Sequence, residues 1–180
     1  MIYLQKIYMN NYEKIVNRLI DNKETVSLME SCTGGSVTSE ITNVDLSSKV
    51  IKFSAITYSN LFKEKFNVSK SIIDKYTVYS KEVAIEMAKQ ICLYSSSSYG
   101  IGITGRLLKD DYDNMGGDNN VVYISIYDYK NDKYLNNSVT VCGSNKKECK
   151  EYIIKFIGII FLNYLNKEIS YDMNPKSWRV

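Results

Sequence analysis

The sequence predicts an α/β protein built as a three-layer α/β/α sandwich around a mixed central sheet. Segments with the apolar spacing of a helix alternate with short, strongly apolar strands through the first 104 residues. That alternation is typical of helices that cover both faces of a largely parallel sheet. Two further strands then follow each other across a short polar turn, as in an antiparallel hairpin, so we expect the sheet to be mixed.

The first half of the chain is predicted to alternate helices and strands. In chain order its elements are a helix over residues 11–22, a strand from Thr25 to Glu30, a helix over residues 37–44, a strand over residues 50–58, and short helical stretches over residues 61–66 and 72–76. The strand over residues 50–58 is too apolar to face water on both sides, so we expect at least one of its faces to be buried.

The second half is predicted to hold a capped helix, a glycine-containing strand, the hairpin and a long final helix. Ser80 has the side chain of a helix N-cap and precedes an apolar helix face. The remaining elements are a strand over Tyr99–Thr104, a polar loop over residues 105–119, strands over Val121–Tyr127 and Tyr134–Val141, and a helix over residues 145–166. The glycines of the Tyr99–Thr104 strand indicate that another backbone or a ligand approaches closely. We assign residues 1–166 to a single domain and residues 167–180 to an exposed C-terminal tail.

The composition narrows the chemistry that the chain can perform. It has no histidine, which removes Ser-His-Asp and Cys-His catalytic arrangements and every zinc site that contains histidine. Acid–base chemistry near neutral pH then has to come from a carboxylate, a tyrosine, a cysteine or a lysine with a shifted pKa. The net charge of +3, with lysines interleaved with acids, gives little reason to expect a nucleic acid partner. We expect neither a metal ion nor an organic cofactor.

We expect the chain to be a cytoplasmic protein that does not enter a membrane. No segment approaches the roughly 18 uninterrupted apolar residues that a spanning helix needs, and the first residues lack the apolar run of a signal peptide. The four cysteines have no C-x-x-C spacing, which fits reduced thiols better than a disulfide framework.

The strongest candidate site is the turn that holds Ser31. The segment Glu30-Ser-Cys-Thr-Gly-Gly35 lies where a predicted strand ends and a helix begins, which is where open α/β sheets bind ligands. Ser31 and Thr33 would place hydroxyl groups there, and the N–H groups at the helix start can hold an anion. Alternatively, Ser31 or Thr33 only caps the helix while Gly34 and Gly35 shape the turn, which is the more common outcome for an isolated motif of this kind.

A second cluster, Tyr58-Ser-Asn-Leu-Phe-Lys63, also stands at a predicted strand end. Lys63 lies one turn into the following helix, from which its amine can reach back over the end of the strand. A partly desolvated lysine there can accept the proton of Ser31, with Tyr58 relaying that proton or holding the substrate. The alternative is an exposed lysine on a short helix.

A third cluster, Ile103-Thr-Gly-Arg106, leads into the polar loop. It brings Thr104, Gly105 and Arg106 to the end of the glycine-containing strand. Arg106 can bind a phosphate or a carboxylate through two N–H groups, or it can be an ordinary surface arginine.

The three clusters, in this order and at strand ends, resemble the C-terminal domain of the CinA family of competence/damage-inducible proteins, which includes nicotinamide-nucleotide amidohydrolases. The resemblance covers most of residues 11–166. The matching segments are Glu30-Ser-Cys-Thr-Gly-Gly35, Tyr58-Ser-Asn-x-x-Lys63, Val78-Tyr-Ser-Lys-Glu-Val-Ala84, Ile103-Thr-Gly105 and Val122-Tyr-Ile-Ser-Ile126. The resemblance implies a three-layer α/β/α domain that self-associates, which we expect to give a homodimer.

The resemblance also implies an activity and a set of site residues. Amidohydrolases of the family convert nicotinamide mononucleotide into nicotinate mononucleotide and ammonia without a metal. On this chain the resemblance makes Ser31 the nucleophile and Lys63 the general base, with Tyr58 assisting. Contacts to the small-molecule nucleotide substrate are expected from Thr33, Gly34, Gly35, Thr104, Gly105 and Arg106.

The loop after the third cluster departs from the family. Where the family usually continues Ile-Ala-Gly-Pro-Gly-Gly, this chain has a bulkier, acidic segment from Arg106 to Asn120 in which only Gly116-Gly117 remains. Acidic residues beside a substrate phosphate repel it, although Arg106 can compensate. The family also tends to have an arginine at the start of its last helix, for which this chain offers Lys146 or Lys147.

Two alternatives to a serine amidohydrolase stay open. The altered loop fits a protein that keeps the fold and binds or senses a nucleotide with little or no turnover. Cys32, next to Ser31 at a helix start, can be a nucleophile if the pKa of its thiol is lowered, or it can be a half-buried structural cysteine.

Overall fold

The computed structural model describes residues 2–108, 114 and 116–168, with side chains described from residue 11 onward. In chain order its elements are α1 (Ile2–Asn22), β1 (Val26–Glu30), α2 (Ser36–Thr42), a short 3₁₀ helix (Ser47–Lys49), β2 (Ile51–Ile56), α3 (Asn60–Lys65), α4 (Lys70–Tyr76), α5 (Lys81–Ser95), β3 (Tyr99–Gly105), β4 (Val121–Asp128), β5 (Lys133–Thr140) and α6 (Lys146–Leu165). None of the helices in these ranges is long and apolar enough to cross a membrane.

The sheet is mixed, with the strand order β2-β1-β3-β4-β5. β1 pairs in parallel with β2 and β3, so that Glu30 lies opposite Ile56 on one side and Ile103 on the other. β3 pairs antiparallel with β4, and β4 forms the hairpin with β5. The predicted fold class, mixed sheet and hairpin are therefore confirmed. The parallel pairing brings the carboxyl ends of β1, β2 and β3 together at one end of the sheet.

Helices cover both faces of the sheet because successive strand residues point to opposite sides. In β1, Leu28 joins the larger apolar core, to which α1, α2 and α6 contribute. Its neighbour Met29 joins a second core under α4 and α5. Both side chains are fully buried. The larger core therefore fills the space between the sheet and one layer of helices, and the second core fills the space between the sheet and the other layer.

Gly100 and Gly102 allow α5 to lie directly against β3. A Cβ atom on Gly102 would stand 2.2 Å from the carbonyl oxygen of Ala84, and one on Gly100 would stand 2.0 Å from that of Ala88. Both separations are far below van der Waals contact, so a larger residue does not fit. The predicted close approach is confirmed, and the neighbour is the backbone of α5 rather than a ligand.

The boundaries of some elements differ from the prediction. α1 begins at Ile2 rather than at residue 11, since the segment before residue 11 contains neither glycine nor proline to stop a helix. β2 ends at Ile56 and lies at the edge of the sheet, so it is only partly buried. Ser80 does cap α5, because its side chain accepts a hydrogen bond from the N–H of Val83. Of the predicted tail, residues 169–180 lie outside the described residues.

Candidate active site

A cavity of about 510 Å³ opens at the carboxyl ends of the three parallel strands. This is the end of an open α/β sheet at which ligands bind. Residues of all three predicted clusters line it, among them Ser31, Cys32, Tyr58, Lys63, Gly105 and Arg106. The predicted clusters therefore meet at one place.

The side chain of Lys63 reaches the hydroxyl of Ser31 inside the protein. Lys63 Nζ lies 3.2 Å from Ser31 Oγ and donates a 2.6 Å hydrogen bond to the carbonyl oxygen of Thr57. Lys63 is 1% exposed and Ser31 is 5% exposed, so the pair is almost closed to bulk water. The interpretation of Lys63 as an exposed surface lysine is therefore excluded.

The position of Lys63 follows from the way α3 begins. Ser59 caps the helix, because its side chain accepts a hydrogen bond from the N–H of Phe62. Side chains on a helix lean toward its N-terminus, which directs the Lys63 amine back to the ends of β2 and β1. The N–H of Thr57, which follows β2, donates to the carbonyl oxygen of Glu30 and so ties the two strand ends together.

Backbone hydrogen bonds fix Ser31 in place. Its N–H donates to the carbonyl oxygen of Ile103 on β3, and its own carbonyl oxygen accepts from the N–H of Gly34, both at 3.0 Å. Gly34 and Gly35 have φ angles of 64° and 89°, a backbone conformation that favours glycine. The two glycines thus shape the turn that presents Ser31.

The N–H groups of this turn are largely satisfied within the protein. Gly34 donates to the carbonyl oxygen of Ser31, and Gly35 donates to the Glu30 carboxylate at 2.9 Å. The Thr33 side chain is fully buried, and neither Thr33 nor the two glycines line the cavity. Gly34 and Gly35 therefore offer no free N–H group to a substrate.

The third cluster forms part of the cavity wall. The Thr104 hydroxyl donates a 2.8 Å hydrogen bond to the carbonyl oxygen of Val78, while Gly105 lines the cavity. The Arg106 guanidinium donates to the carbonyl oxygens of Gly116-Gly117. Arg106 thus braces the loop through Nη2, whereas its Nε is buried without a hydrogen-bond partner among the described residues.

Tyr58 lies at the rim of the cavity rather than against the Ser31–Lys63 pair. Its side chain is 67% exposed and lines the cavity opening. Its phenol hydroxyl makes no hydrogen bond with Ser31 or Lys63 among the described contacts. The structure therefore places the Tyr58 ring at the opening of the cavity, where most of it faces water.

Two lysines of α6 complete the cavity wall. Lys146 and Lys150 line it, whereas Lys147 does not. Lys150 Nζ lies 3.2 Å from the point that a Cβ atom on Gly34 would occupy, next to the turn that holds Ser31. Neither ammonium group forms an ion pair with a carboxylate in the described part of the chain. The spacing of four residues places both lysines on one face of a helix and could have pointed to this pair.

Cys32 lines the same cavity with a buried thiol. Burial raises the pKa of the Cys32 thiol to about 12, and the negative charge of Glu30 adds to the shift. Since the thiolate is the nucleophilic form, a thiol with this pKa is a poor nucleophile at neutral pH. The environment of Cys32 fits a structural cysteine.

Comparison with known proteins identifies the family. The family model of the CinA C-terminal domain matches residues 9–132, and the chain belongs to this family. A protein of Clostridium botulinum (strain Loch Maree / Type A3) described as competence-damage inducible is 32% identical over 160 residues, which are 87% of this chain and 37% of that protein. A CinA-like protein of Thermosipho melanesiensis is 38% identical over 94 residues, 52% of this chain and 23% of that protein. This chain therefore spans well under half the length of these relatives.

Solved structures share the fold. A competence or damage-inducible protein from Enterobacter asburiae superposes with a TM-score of 0.80 at 18% identity, covering 88% of this chain and 98% of that one. A CinA superfamily protein from Klebsiella pneumoniae superposes with a TM-score of 0.81 at 15% identity, covering 89% and 98%. At these identities the likeness establishes the fold.

Proposed function

We propose that this protein is an amidohydrolase that converts the amide of a pyridine nucleotide, such as nicotinamide mononucleotide, into a carboxylate and ammonia. The observation that carries the proposal is the buried pair of Ser31 Oγ and Lys63 Nζ, 3.2 Å apart beside a cavity of about 510 Å³. Membership of the CinA C-terminal domain family supports it, because the resemblance implies this activity.

In the first half of the reaction Ser31 Oγ attacks the carbonyl carbon of the amide, and its proton passes to the neutral amine of Lys63. The separation of 3.2 Å is at the edge of hydrogen-bond reach, as expected without substrate. The carbonyl oxygen of Thr57 holds the amine in place. When the carbon–nitrogen bond breaks, the Lys63 ammonium returns the proton to the leaving nitrogen, which departs as ammonia and leaves an ester on Ser31.

In the second half a water molecule attacks the ester carbonyl while Lys63 accepts one of its protons. The ester bond to Ser31 breaks, and Lys63 gives that proton to Ser31 Oγ, which restores the starting state and releases the carboxylic acid. Burial generally penalises the charged form of an amine, which favours the neutral form that a general base requires. The near-complete burial of Lys63 is therefore consistent with this role.

The lysines of α6 supply the positive charge that a phosphorylated substrate needs. Lys146 and Lys150 line the cavity, and ammonium groups bind phosphate as point charges. We assign the phosphate to these two residues, since Arg106 is bonded to loop carbonyls and the N–H groups of Gly34 and Gly35 are satisfied. Tyr58 at the rim is placed to hold the substrate.

The test is release of ammonia and nicotinate mononucleotide from nicotinamide mononucleotide. Three purified proteins are compared: the parent, Ser31→Ala, and Ser39→Ala as a matched control on an exposed position of α2. We expect equal amounts of the two products from the parent and the control, and a loss on the order of 1,000-fold or more in Ser31→Ala. A Ser31→Ala protein as fast as the parent would rule out this mechanism, and a folded but inactive parent would rule out the activity.

A nucleotide-binding protein with little or no turnover is the second candidate. The observation that favours it is the loop in place of the family's glycine-rich segment. Asn114 of this loop lines the cavity and accepts a 2.9 Å hydrogen bond from the side chain of Asn60, so the loop adds bulk at the cavity wall. A rise in melting temperature with nicotinamide mononucleotide, without consumption of the nucleotide, would favour this candidate over the first.

We also propose that the protein forms homodimers. Several apolar side chains next to the cavity are half exposed or more, and such patches mark interaction surfaces; they are Ile56, Tyr58, Leu61 and Phe62. Light scattering after size-exclusion chromatography is expected to give twice the chain mass of 20.7 kDa. A single-chain mass at all protein concentrations would contradict this proposal. The cytoplasmic location expected from the sequence stays a prediction.

A further inference from the structure

The carboxylate of Glu30 is buried beside the turn that holds Ser31. Glu30 is the last residue of β1 and is 0% exposed. It takes no part in the proton transfers proposed for Ser31 and Lys63. Because burial of a carboxylate is unfavourable unless its oxygens accept hydrogen bonds, its partners indicate what it does there.

The hydrogen-bond partners of Glu30 lie at the start of α2. Oε2 accepts from the N–H of Gly35 at 2.9 Å and from that of Val37 at 3.3 Å. Oε1 accepts from the N–H of Thr38 at 2.8 Å and from its hydroxyl at 2.7 Å. The residue at the N-cap position, Gly35, has no side chain that could serve these donors. The carboxylate of Glu30, although it belongs to the preceding strand, therefore serves as the N-cap of α2.

The hydrogen bonds of Glu30 hold the two ends of the Ser31 turn together. The turn begins at Glu30 and ends at the first residues of α2, which the Glu30 carboxylate holds. Two glycines in the turn have positive φ angles, and glycine on its own allows a wide range of backbone conformations. In the observed shape of the turn, the Ser31 hydroxyl lies 3.2 Å from the Lys63 amine.

We propose that Glu30 is a positioning residue, whose carboxylate clamps the start of α2 to the end of β1 and thereby holds the Ser31 hydroxyl at the Lys63 amine. The consequence for catalysis rests on the proposed function, whereas the clamp itself is a property of the fold. The charge of Glu30 is also felt locally, since it contributes to the raised pKa of Cys32.

Three variants test the clamp. Glu30→Gln keeps the size of the side chain and replaces one acceptor oxygen with an NH₂ group. Thr38→Val removes the hydroxyl that donates to Glu30 Oε1 and that also bonds to Ser54 Oγ on β2, and it leaves the Glu30 carboxylate in place. Thr42→Val is the matched control, because it makes the same change on an exposed residue of the same helix, whose hydroxyl bonds to the carbonyl oxygen of Ser39 instead.

Two quantities are measured for each variant. One is kcat and KM for ammonia release from nicotinamide mononucleotide. The other is the rate at which iodoacetamide alkylates Cys32 in the native protein, with exposed Cys142 as the internal reference. We expect Glu30→Gln to lower kcat by about 10- to 100-fold, with KM within about threefold, because the reacting atoms are misaligned while the substrate still binds. Alkylation of Cys32 should rise several-fold in Glu30→Gln, where loss of the Glu30 charge adds to loss of the clamp. Thr38→Val keeps that charge and should show intermediate changes in kcat and in Cys32 alkylation, whereas Thr42→Val should match the parent.

Unchanged kcat and unchanged Cys32 alkylation in a folded Glu30→Gln protein would overturn the proposal, as would equal effects in Thr38→Val and Thr42→Val. If Glu30→Gln does not fold, the comparison of Thr38→Val with Thr42→Val decides by the same two measurements. If the parent releases no ammonia, the proposed function fails on its own. Cys32 alkylation then still tests the clamp, which is overturned if the rate in Thr38→Val is the same as in the parent.

Discussion

Lys63 and Lys65 lie two residues apart on α3 in opposite environments. Lys63 is 1% exposed and bonded to the carbonyl oxygen of Thr57 and the hydroxyl of Ser31. Lys65 is exposed, with its ammonium group 4.8 Å from the centroid of the Phe62 ring. The two side chains therefore differ in their access to water, and only that of Lys63 lies beside Ser31.

We predict that Arg106 affects phosphorylated and unphosphorylated substrates alike. Its guanidinium bonds to loop carbonyls and lies 5.4 Å from the centroid of the Tyr79 ring, as part of the wall. Arg106→Met should therefore lower kcat/KM by similar factors for nicotinamide mononucleotide and nicotinamide riboside. Lys150→Met is the contrasting variant, and it should lower kcat/KM for the mononucleotide alone, by about 10-fold or more. A loss confined to the mononucleotide in Arg106→Met would instead make Arg106 the phosphate ligand.

We predict that Cys32 resists alkylation at neutral pH. A pKa raised to about 12 means that the thiolate appears only as the pH rises toward that value, so the reactive form is scarce at neutral pH. Brief iodoacetamide treatment followed by peptide mass spectrometry should find Cys142 modified and Cys32 unmodified, with ammonia release intact. Rapid labelling of Cys32 together with loss of ammonia release would contradict this prediction and would support Cys32 as the nucleophile.

At the scale of elements, we predict that Gly102→Ala strongly destabilises the protein. The added Cβ atom would meet the backbone of α5 at Ala84 and Ala88, and neither helix nor strand can move without disturbing both cores. Overpacking of this kind costs about 1–3 kcal/mol or more. Urea denaturation should show a lower free energy of unfolding. A Gly102→Ala protein as stable as the parent would mean that α5 does not sit this close to β3.

The order of the elements was predictable because each carries a local signal. Apolar spacing located the helices, and the side chain of Ser80 located the start of α5. The glycines of β3 indicated close approach, although they did not say to what. The exact start of α1 is not predictable in this way, since Asn10-Asn11 are of a residue type that favours an N-cap and yet lie inside the helix.

The residues of the candidate site were predictable only in part. Ser31 and Lys63 follow the ends of strands that turn out to be parallel neighbours, so a correct topology is enough to bring them together. The choice between Lys146 and Lys147 depends on how α6 is rotated against the core, which the spacing alone does not give. The role of Glu30 depends on a hydrogen bond between its carboxylate and the N–H of Gly35, five residues later in the chain. No local pattern in the sequence reveals this contact.

At the scale of the whole molecule, the strand order determines where the candidate site lies. Because β1 lies between β2 and β3 and all three are parallel, segments far apart in the chain end at the same edge of the sheet. The long helix α6 then adds Lys146 and Lys150 to the wall of the cavity. The chain matches only 37% of the length of its Clostridium botulinum relative.

That the Ser31–Lys63 pair performs the chemistry is tested most directly by comparing ammonia release in Lys63→Met and Lys65→Met. Methionine can fill the buried path of the Lys63 stem without its amine, so the protein should fold with an unchanged or higher melting temperature. We predict a rate on the order of 100- to 10,000-fold lower in Lys63→Met and a parental rate in Lys65→Met. A folded Lys63→Met protein that releases ammonia at the parental rate would contradict the proposed mechanism.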